Sequence, residues 1–209
     1  MSKAAQLLSK RWTETLSSTN RSDARKEHIA DYYRTPISDI EKFFSELDNV
    51  ITIDMDKCTL DPASGGDAEN PMSYPTALHN YYAVPIENIK TIDIREDSLA
   101  DVKGDYLSME LDYKPYVIIT NPPFNKALEF ITKALNDVED NGYVIMLLRL
   151  NFLETKARKE FFDKYMPEYI FVHHKRMSFI KGGGTDSVAY AHYVWRKGYY
   201  PEFAQIKVI

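Results

Sequence analysis

Apolar positions along the chain switch between helical and strand periodicity. Ile37, Ile40, Phe43, Phe44 and Leu47 recur at helical spacing and predict a helix with one face on a core. Thr35-Pro36 gives it a start, with Thr35 as N-cap and Pro36 in the first helical position. The stretch from Val50 to Leu60 is strand-rich but broken by Asp54, Asp56 and Lys57; Cys58-Thr59-Leu60 finishes a strand just before Asp61-Pro62-Ala63-Ser64-Gly65-Gly66-Asp67. Pro71 and Pro75 delay the next helix to Pro75–Tyr82. Asn88–Ile94 reads as a strand ending around Asp93, and Gly104-Asp105-Tyr106-Leu107 as a turn-to-strand junction. Leu128, Ile131, Leu135 and Val138 predict an amphipathic helix ended by Asn141-Gly142. Tyr143–Leu150, carrying Arg149, is a buried strand, and a helix over Glu154–Tyr165 stops before Pro167. Tyr169–His174 and Val188–Trp195 then predict two strands flanking Lys181-Gly182-Gly183-Gly184-Thr185-Asp186. The alternation predicts an α/β fold: a mostly parallel twisted sheet, helices on both faces, and an antiparallel strand pair at the C-terminal end.

One stretch organises this pattern. Tyr116 to Thr120 is unbroken apolar or β-branched sequence, as in a parallel strand buried on both faces, and it stops at Asn121-Pro122-Pro123-Phe124. Two prolines cannot continue a hydrogen-bond ladder, so the backbone leaves the sheet there. The carboxyl ends of strands are where open α/β sheets place ligands. An amide, two stiffened carbonyls and an aromatic ring at that point suit a flat, amine-bearing ring. Acids also recur after successive strands, Asp61, Asp93 and Asp105, which suggests a single crevice along the strand ends. The Asp61–Asp67 stretch is a strand ending in an acid followed by a glycine turn that lets backbone N–H groups approach a ligand. It is neither a P-loop nor a three-glycine dinucleotide fingerprint.

Composition narrows the class. A hydrophobic share of 44% with 27% charged residues supports a globular core. The chain has no membrane-length apolar run and no signal-peptide core in Met1–Leu16, which predicts a cytoplasmic protein without a membrane partner. A single cysteine, Cys58, excludes an intrachain disulfide and a Cys-rich zinc site, and reads as a core residue. The adjacent His173 and His174 would point to opposite faces of a strand, so no metal site is expected. The net charge of −5 hides basic ends around an acidic middle: residues 1–34 carry seven Lys/Arg against four Asp/Glu, and 155–209 carry ten against five. That fits a catalytic core whose flanks meet a polyanion, and equally an acidic domain with incidentally basic ends. Residues 1–34 are expected to form a helical arm and 35–209 a single catalytic domain. The arm reads as a packing helix with some basic exposure, with nucleic-acid binding the alternative.

With these residues in place, the chain resembles the class I S-adenosylmethionine-dependent methyltransferases, with their Rossmann-like fold. More narrowly, it resembles the DNA methyltransferases that modify adenine at N6, including small versions found in phages. The resemblance runs from Thr35 to about Lys197 and is most specific at Asn121-Pro122-Pro123-Phe124, which matches the family's catalytic (Asp/Asn/Ser)-Pro-Pro-(Tyr/Phe/Trp) motif. It implies S-adenosylmethionine as cofactor and DNA as partner, in a bacterial or phage-infected host cytoplasm. Thr35 and Pro36 are similar to the segment holding the methionine end of the cofactor. Asp61, Pro62, Ala63 and Gly65 resemble the glycine loop beneath it, with Asp67 where a glycine is usual. Asp93, with Glu96 as rival, matches the ribose-gripping acid, and Asp105 the acid that pairs with the cofactor's adenine amine; Asn121 belongs to both the catalytic and the cofactor set. Arg176-Met177-Ser178-Phe179 resembles a segment near the target base, implying Phe124, Arg176, Ser178 and Phe179 as substrate contacts. Tyr190 to Trp195 resembles the final strand, with His192 where an aromatic ring is common.

The chemistry asks for these groups. An exocyclic amine has its lone pair delocalised into the purine, so it is a poor nucleophile. The Asn121 oxygen and the Pro122 carbonyl can accept its two N–H bonds and favour a pyramidal nitrogen, while Phe124 stacks on the base. Two other acceptors remain open: RNA (guanine N2 or adenine N6) and protein glutamine amide. A module that binds cofactor without catalysis is disfavoured by the intact Asn121–Phe124. Only Tyr199–Ile209 follow the final strand, too few for a separate target-recognition domain. Short or relaxed specificity is expected, or recognition through the arm and the Gly182–Gly184 loop, which reads as a lid or as a long hairpin connection. Oligomeric state is left open.

Overall fold

Strands without a polar face need cover on both sides. In the computed structural model, which describes residues 34–179 and 187–209, a single sheet arranges this. The expectations for the N-terminal arm, Arg34 apart, and for the Lys181–Asp186 loop lie outside the described residues. β4 (Val117–Thr120), buried at every position, lies between β1 (Thr59–Asp61) and β5 (Tyr143–Arg149), parallel to both. Beyond β1 come β2 (Ile89–Asp93) and the short β3 (Val102–Lys103), also parallel. On the other side β7 (Tyr190–Arg196) runs antiparallel to β5 and to β6 (Tyr169–Val172), and β8 (Gln205–Val208) lies parallel to β6. Among the described residues the order is β3-β2-β1-β4-β5-β7-β6-β8, so it reverses between β1 and β4. Such a reversal opens a crevice at the carboxyl ends of the two strands.

Side chains alternate across the sheet and build a core on each face. Val117, Ile119, Ile145 and Leu147 pack with α1 (Ile37–Asp48) and α2 (Ser73–Tyr82). Ile118, Val144, Met146 and Leu148 pack with α3 (Ala127–Asp137) and α4 (Lys156–Phe162). The α1 face also holds a polar line. The Tyr74 hydroxyl is 3.0 Å from His192 Nε2, and His192 Nδ1 is 2.8 Å from His173 Nε2. The Phe43 ring stacks on His192 at 4.0 Å and 8°. Burial, then the charges of Lys42 and His174, push the His173 pKa down to about 4, and burial holds His192 well below the usual histidine range.

Several local expectations are corrected. α1 begins at Ile37 with Pro36 as N-cap and no side-chain cap, because the Thr35 hydroxyl is engaged across the crevice by Asn121. α2 begins at Ser73, with Pro75 in the first turn, where a missing N–H costs nothing. Gly104–Leu107 leads into a 3₁₀ turn, Tyr106–Ser108, rather than a strand, since Asp105 accepts the Leu107 N–H at 3.0 Å. Cys58 is half-buried rather than in the core. β8 was not foreseen.

A Cβ on Gly142 would lie 2.6 Å from the Tyr116 carbonyl oxygen and 2.8 Å from Val138 Cγ2, at the entry to β5. Gly142→Ala is expected to cost about 1–3 kcal/mol in urea unfolding; an unchanged midpoint would contradict the packing. His173 binds its proton more weakly folded than unfolded. Between its ordinary value of 6.5 and about 4 the unfolded chain takes up more protons, so its contribution to stability is lost as pH falls. Wild type should lose about 2 kcal/mol relative to His173→Gln between pH 7 and pH 5. Parallel stability curves for the two proteins would refute this.

Candidate active site

The crevice is built from the ends of β1, β2 and β4. Asp61, the last residue of β1, is 1% exposed. Its Oδ1 accepts the Ala63 N–H at 3.2 Å, while Oδ2 has no hydrogen-bond partner among the described residues. Burial raises its pKa to about 7; the neighbouring Thr120 hydroxyl and the Ala63 N–H oppose this, and the nearby Asp93 adds to it. Pro62 is buried and Ala63 half-buried as the chain turns. Gly65 (φ 64°) and Gly66 (φ 74°) take the left-handed backbone that only glycine adopts cheaply. A Cβ on Gly66 would also meet Met72 Cγ at 2.9 Å.

Asp93, at the end of β2, pins this loop. One carboxylate oxygen accepts the Gly65 N–H at 2.7 Å and the other the Arg95 N–H at 2.8 Å. The rival Glu96 is exposed. Asp67 needs no left-handed backbone and closes its own turn, its Oδ1 accepting the N–H groups of Glu69 and Asn70, both at 2.9 Å. The departure at that position is therefore accommodated. Asp105 sits exposed on the same rim, tied to β2 through the 2.9 Å bond from the Gly104 N–H to the Asp93 carbonyl. Ile94 and Leu99 leave apolar side chains about half exposed beside these acids.

Across the reversal point, the chain leaves β4 at Asn121. Its Nδ2 donates to Thr35 Oγ1 at 3.1 Å, bringing the residues before α1 to the end of β4. Pro36 and Asn121 are half-buried and Thr35 fully buried. Pro122 is buried, and Pro123 and Phe124 are half-buried. The Phe124 ring lies 5.4 Å from that of Tyr190, which meets Phe179 edge-on at 4.8 Å. The Arg149 guanidinium sits over Phe124 at 4.9 Å, with Nε buried and without a hydrogen-bond partner among the described residues. Arg176 is exposed and donates to the Ser187 carbonyl oxygen; Ser178 is half-buried.

The predicted residues thus form two groups. Thr35, Asp61–Gly65, Asp93, Asp105 and Asn121 lie at or are bonded to the ends of β1, β2 and β4; Phe124 and Phe179 meet through Tyr190, with Arg176 further out. Three residues at the site carried no expectation there: Tyr74, Tyr190 and Arg149. Arg149 had a signal, being the cation that ends an otherwise apolar strand. No cluster of three or more His, Cys, Asp or Glu that could hold a metal occurs among the described residues, nor any helix long and apolar enough to cross a membrane.

No protein-family model and no curated protein sequence matches the chain. Solved structures do. A Listeria monocytogenes protein described as a class I S-adenosylmethionine-dependent methyltransferase aligns with TM-score 0.63 at 16% identity, over 88% of this chain and 68% of its own. The methyltransferase subunit of a type I restriction-modification system from Streptococcus thermophilus aligns with TM-score 0.59 at 12% identity, over 81% of this chain and 46% of its own, so this chain spans about half of that subunit. A Pyrococcus horikoshii protein described as an RNA methyltransferase aligns with TM-score 0.54 at 13% identity, over 80% of this chain and 88% of its own. With its strand order, its crevice and these likenesses, the chain has the class I S-adenosylmethionine-dependent methyltransferase fold.

Proposed function

We propose that the protein transfers a methyl group from S-adenosylmethionine to the N6 amine of adenine in DNA. The observation that carries this reading is the placement of Asn121-Pro122-Pro123-Phe124 at the end of β4, where the strand order reverses, with the Asn121 amide tied to Thr35. The likeness to a restriction-modification methyltransferase subunit supports a DNA acceptor. The likeness to a protein described as an RNA methyltransferase makes RNA the second acceptor to test.

The residues fit the cofactor. Asp61 Oδ2 is a buried acceptor lacking a partner among the described residues, suited to a ligand that brings positive charge and N–H donors. Thr35, Pro36 and the Asp61–Gly65 loop would hold the amino-acid end, Asp93 the ribose, and Asp105 the adenine amine, with Ile94 and Leu99 as apolar flanks. The chemistry supplied by bound S-adenosylmethionine is an electrophilic methyl group on a sulfonium. The chain's own residues do the rest. The Asn121 oxygen and the Pro122 carbonyl accept the two N–H bonds of the target amine and localise its lone pair. Phe124, steadied by Tyr190 and Arg149, stacks on a base taken out of the helix, with Phe179 behind Tyr190 and Arg176 and Ser178 toward the nucleic acid. Holding the amine about 3–3.5 Å from the methyl carbon, in line, supplies much of the rate.

Incubation with labelled cofactor and separate DNA, RNA and protein pools, followed by nucleoside and amino-acid analysis, tests this. Methyladenine in DNA is expected. Asn121→Ala should lower the rate by about 100-fold or more, with cofactor binding kept. Label confined to RNA or protein would refute the DNA acceptor. Cofactor binding should also release protons. Asp61 is about half protonated at pH 7, and a neighbouring positive charge favours its ionised form. Calorimetry in buffers of different ionisation enthalpy should show release of up to about half a proton at pH 7, absent in Asp61→Asn. A buffer-independent enthalpy in wild type would contradict this placement.

A further inference from the structure

The contact with Phe124 accounts for only part of Arg149. This residue ends β5, beyond Met146, which pairs with Thr120 at the end of β4. It therefore stands past the last residue of β4, beside the proline exit. Directly opposite it in the ladder is Tyr190, whose ring lies 5.4 Å from that of Phe124. Tyr190 and Phe124 pack with the α1 side of the core, so the guanidinium over Phe124 is on that side too.

A guanidinium carries five N–H donors and a permanent charge. Nε is buried without a hydrogen-bond partner, and no carboxylate among the described residues forms an ion pair with this side chain. Covering Phe124 with a part-buried cation costs desolvation that a hydrocarbon stem would not. The donors make physical sense when an anion reaches them with the substrate. The neighbouring rim is basic as well. Lys156 and Arg158 follow at the start of α4, and Lys175 and Arg176 follow β6. β5 and β6 are both antiparallel to β7, so their carboxyl ends lie at the same end of the sheet. Asp61 and Asp93 make the β1 and β2 part of that rim acidic, whereas the β5 and β6 part carries cations.

The stacking geometry selects the anion. Arg149 covers one face of the Phe124 ring at 4.9 Å. A base stacked on the opposite face adds about 3.5–4.0 Å of contact distance. Its edge is then out of hydrogen-bond reach of the guanidinium, and the backbone that carries the base past the ring is the acceptor that remains. We propose that Arg149 binds the phosphodiester beside the target nucleotide, so that the acceptor substrate is a nucleic-acid strand and not a protein amide. The inference rests on the stacking role of Phe124 given above. A phosphodiester belongs to DNA and RNA alike, so oligonucleotides of both enter the test.

Arg149→Met keeps a stem over Phe124 and removes the charge and the donors. It is expected to raise KM about tenfold for the nucleic acid that wild type methylates, with kcat within about threefold and cofactor affinity unchanged. Oligonucleotide binding over a range of salt concentrations separates a phosphate contact from packing. On the substrate strand the slope of log affinity against log salt should fall by about one, and Arg149→Lys should restore most of it. An unchanged slope in Arg149→Met would overturn the inference. In wild type, an uncharged methylphosphonate in place of the phosphodiester beside the target adenine should also raise KM about tenfold. In Arg149→Met the same replacement should add less than about twofold, and equal losses in both proteins would overturn the contact. Should Arg149→Met fail to fold, the methylphosphonate series in wild type decides: no effect at either phosphate flanking the adenine refutes the contact. Wild type that methylates no acceptor would instead refute the reading of function, and the salt slopes would still decide the role of Arg149.

Discussion

The architecture turns on the way β4 ends. A strand buried on both faces has to sit in the middle of a sheet, and two consecutive prolines leave it no means of extending the ladder. The chain must depart, and it does so where the strand order reverses. That exit places Asn121 within 3.1 Å of Thr35, 86 residues earlier, and so fastens the entry of α1 to the end of β4. Thr35 gives up its role as helix cap for this contact, and α1 starts one residue later, at Ile37, with Pro36 as its N-cap.

The other half of the crevice is shaped by an acid acting on a backbone. Asp93 spends its two oxygens on the N–H groups of Gly65 and Arg95, which holds the glycine turn against β2. Asp61 lies close by, deeper, with one oxygen lacking a partner among the described residues. Burial and a second acid both disfavour its charge, so the site is poised to accept a cation. A loop with this electrostatic deficit is costly as a mere turn and sensible as half of a binding site.

Much of this was legible in the sequence because it rests on local chemistry. The helical spacing from Ile37 to Leu47, the apolar run before Asn121, and the acids at Asp61 and Asp93 each declare themselves within a few residues. What was hidden depends on partners distant in sequence. β8 could not be read because Ile206 and Val208 stay about two-thirds exposed, so its strand character comes from pairing with β6 rather than from burial. The cap at Asp105 competed with a strand on equal terms until its carboxylate met the Leu107 N–H. Thr35 was expected at a helix start and at a cofactor, but its bond to Asn121 is a tertiary fact. His173 read as a packed or exposed side chain and His192 as a residue standing where an aromatic ring is common, since nothing in either neighbourhood points to the other.

The buried line from Tyr74 to His173 has to be understood by what an apolar replacement would change. Two histidines and a tyrosine in the core must be fully satisfied to avoid a large desolvation cost, and a well-packed apolar trio could serve stability as well. The Phe43 ring already stacks flat on His192, so a phenyl ring there would meet the same neighbour. Stability alone therefore gives no reason for imidazoles at these positions. Direction does, because an aromatic hydrocarbon transmits no hydrogen-bond polarity, whereas hydroxyl and imidazole groups in series impose on each member the role of the next.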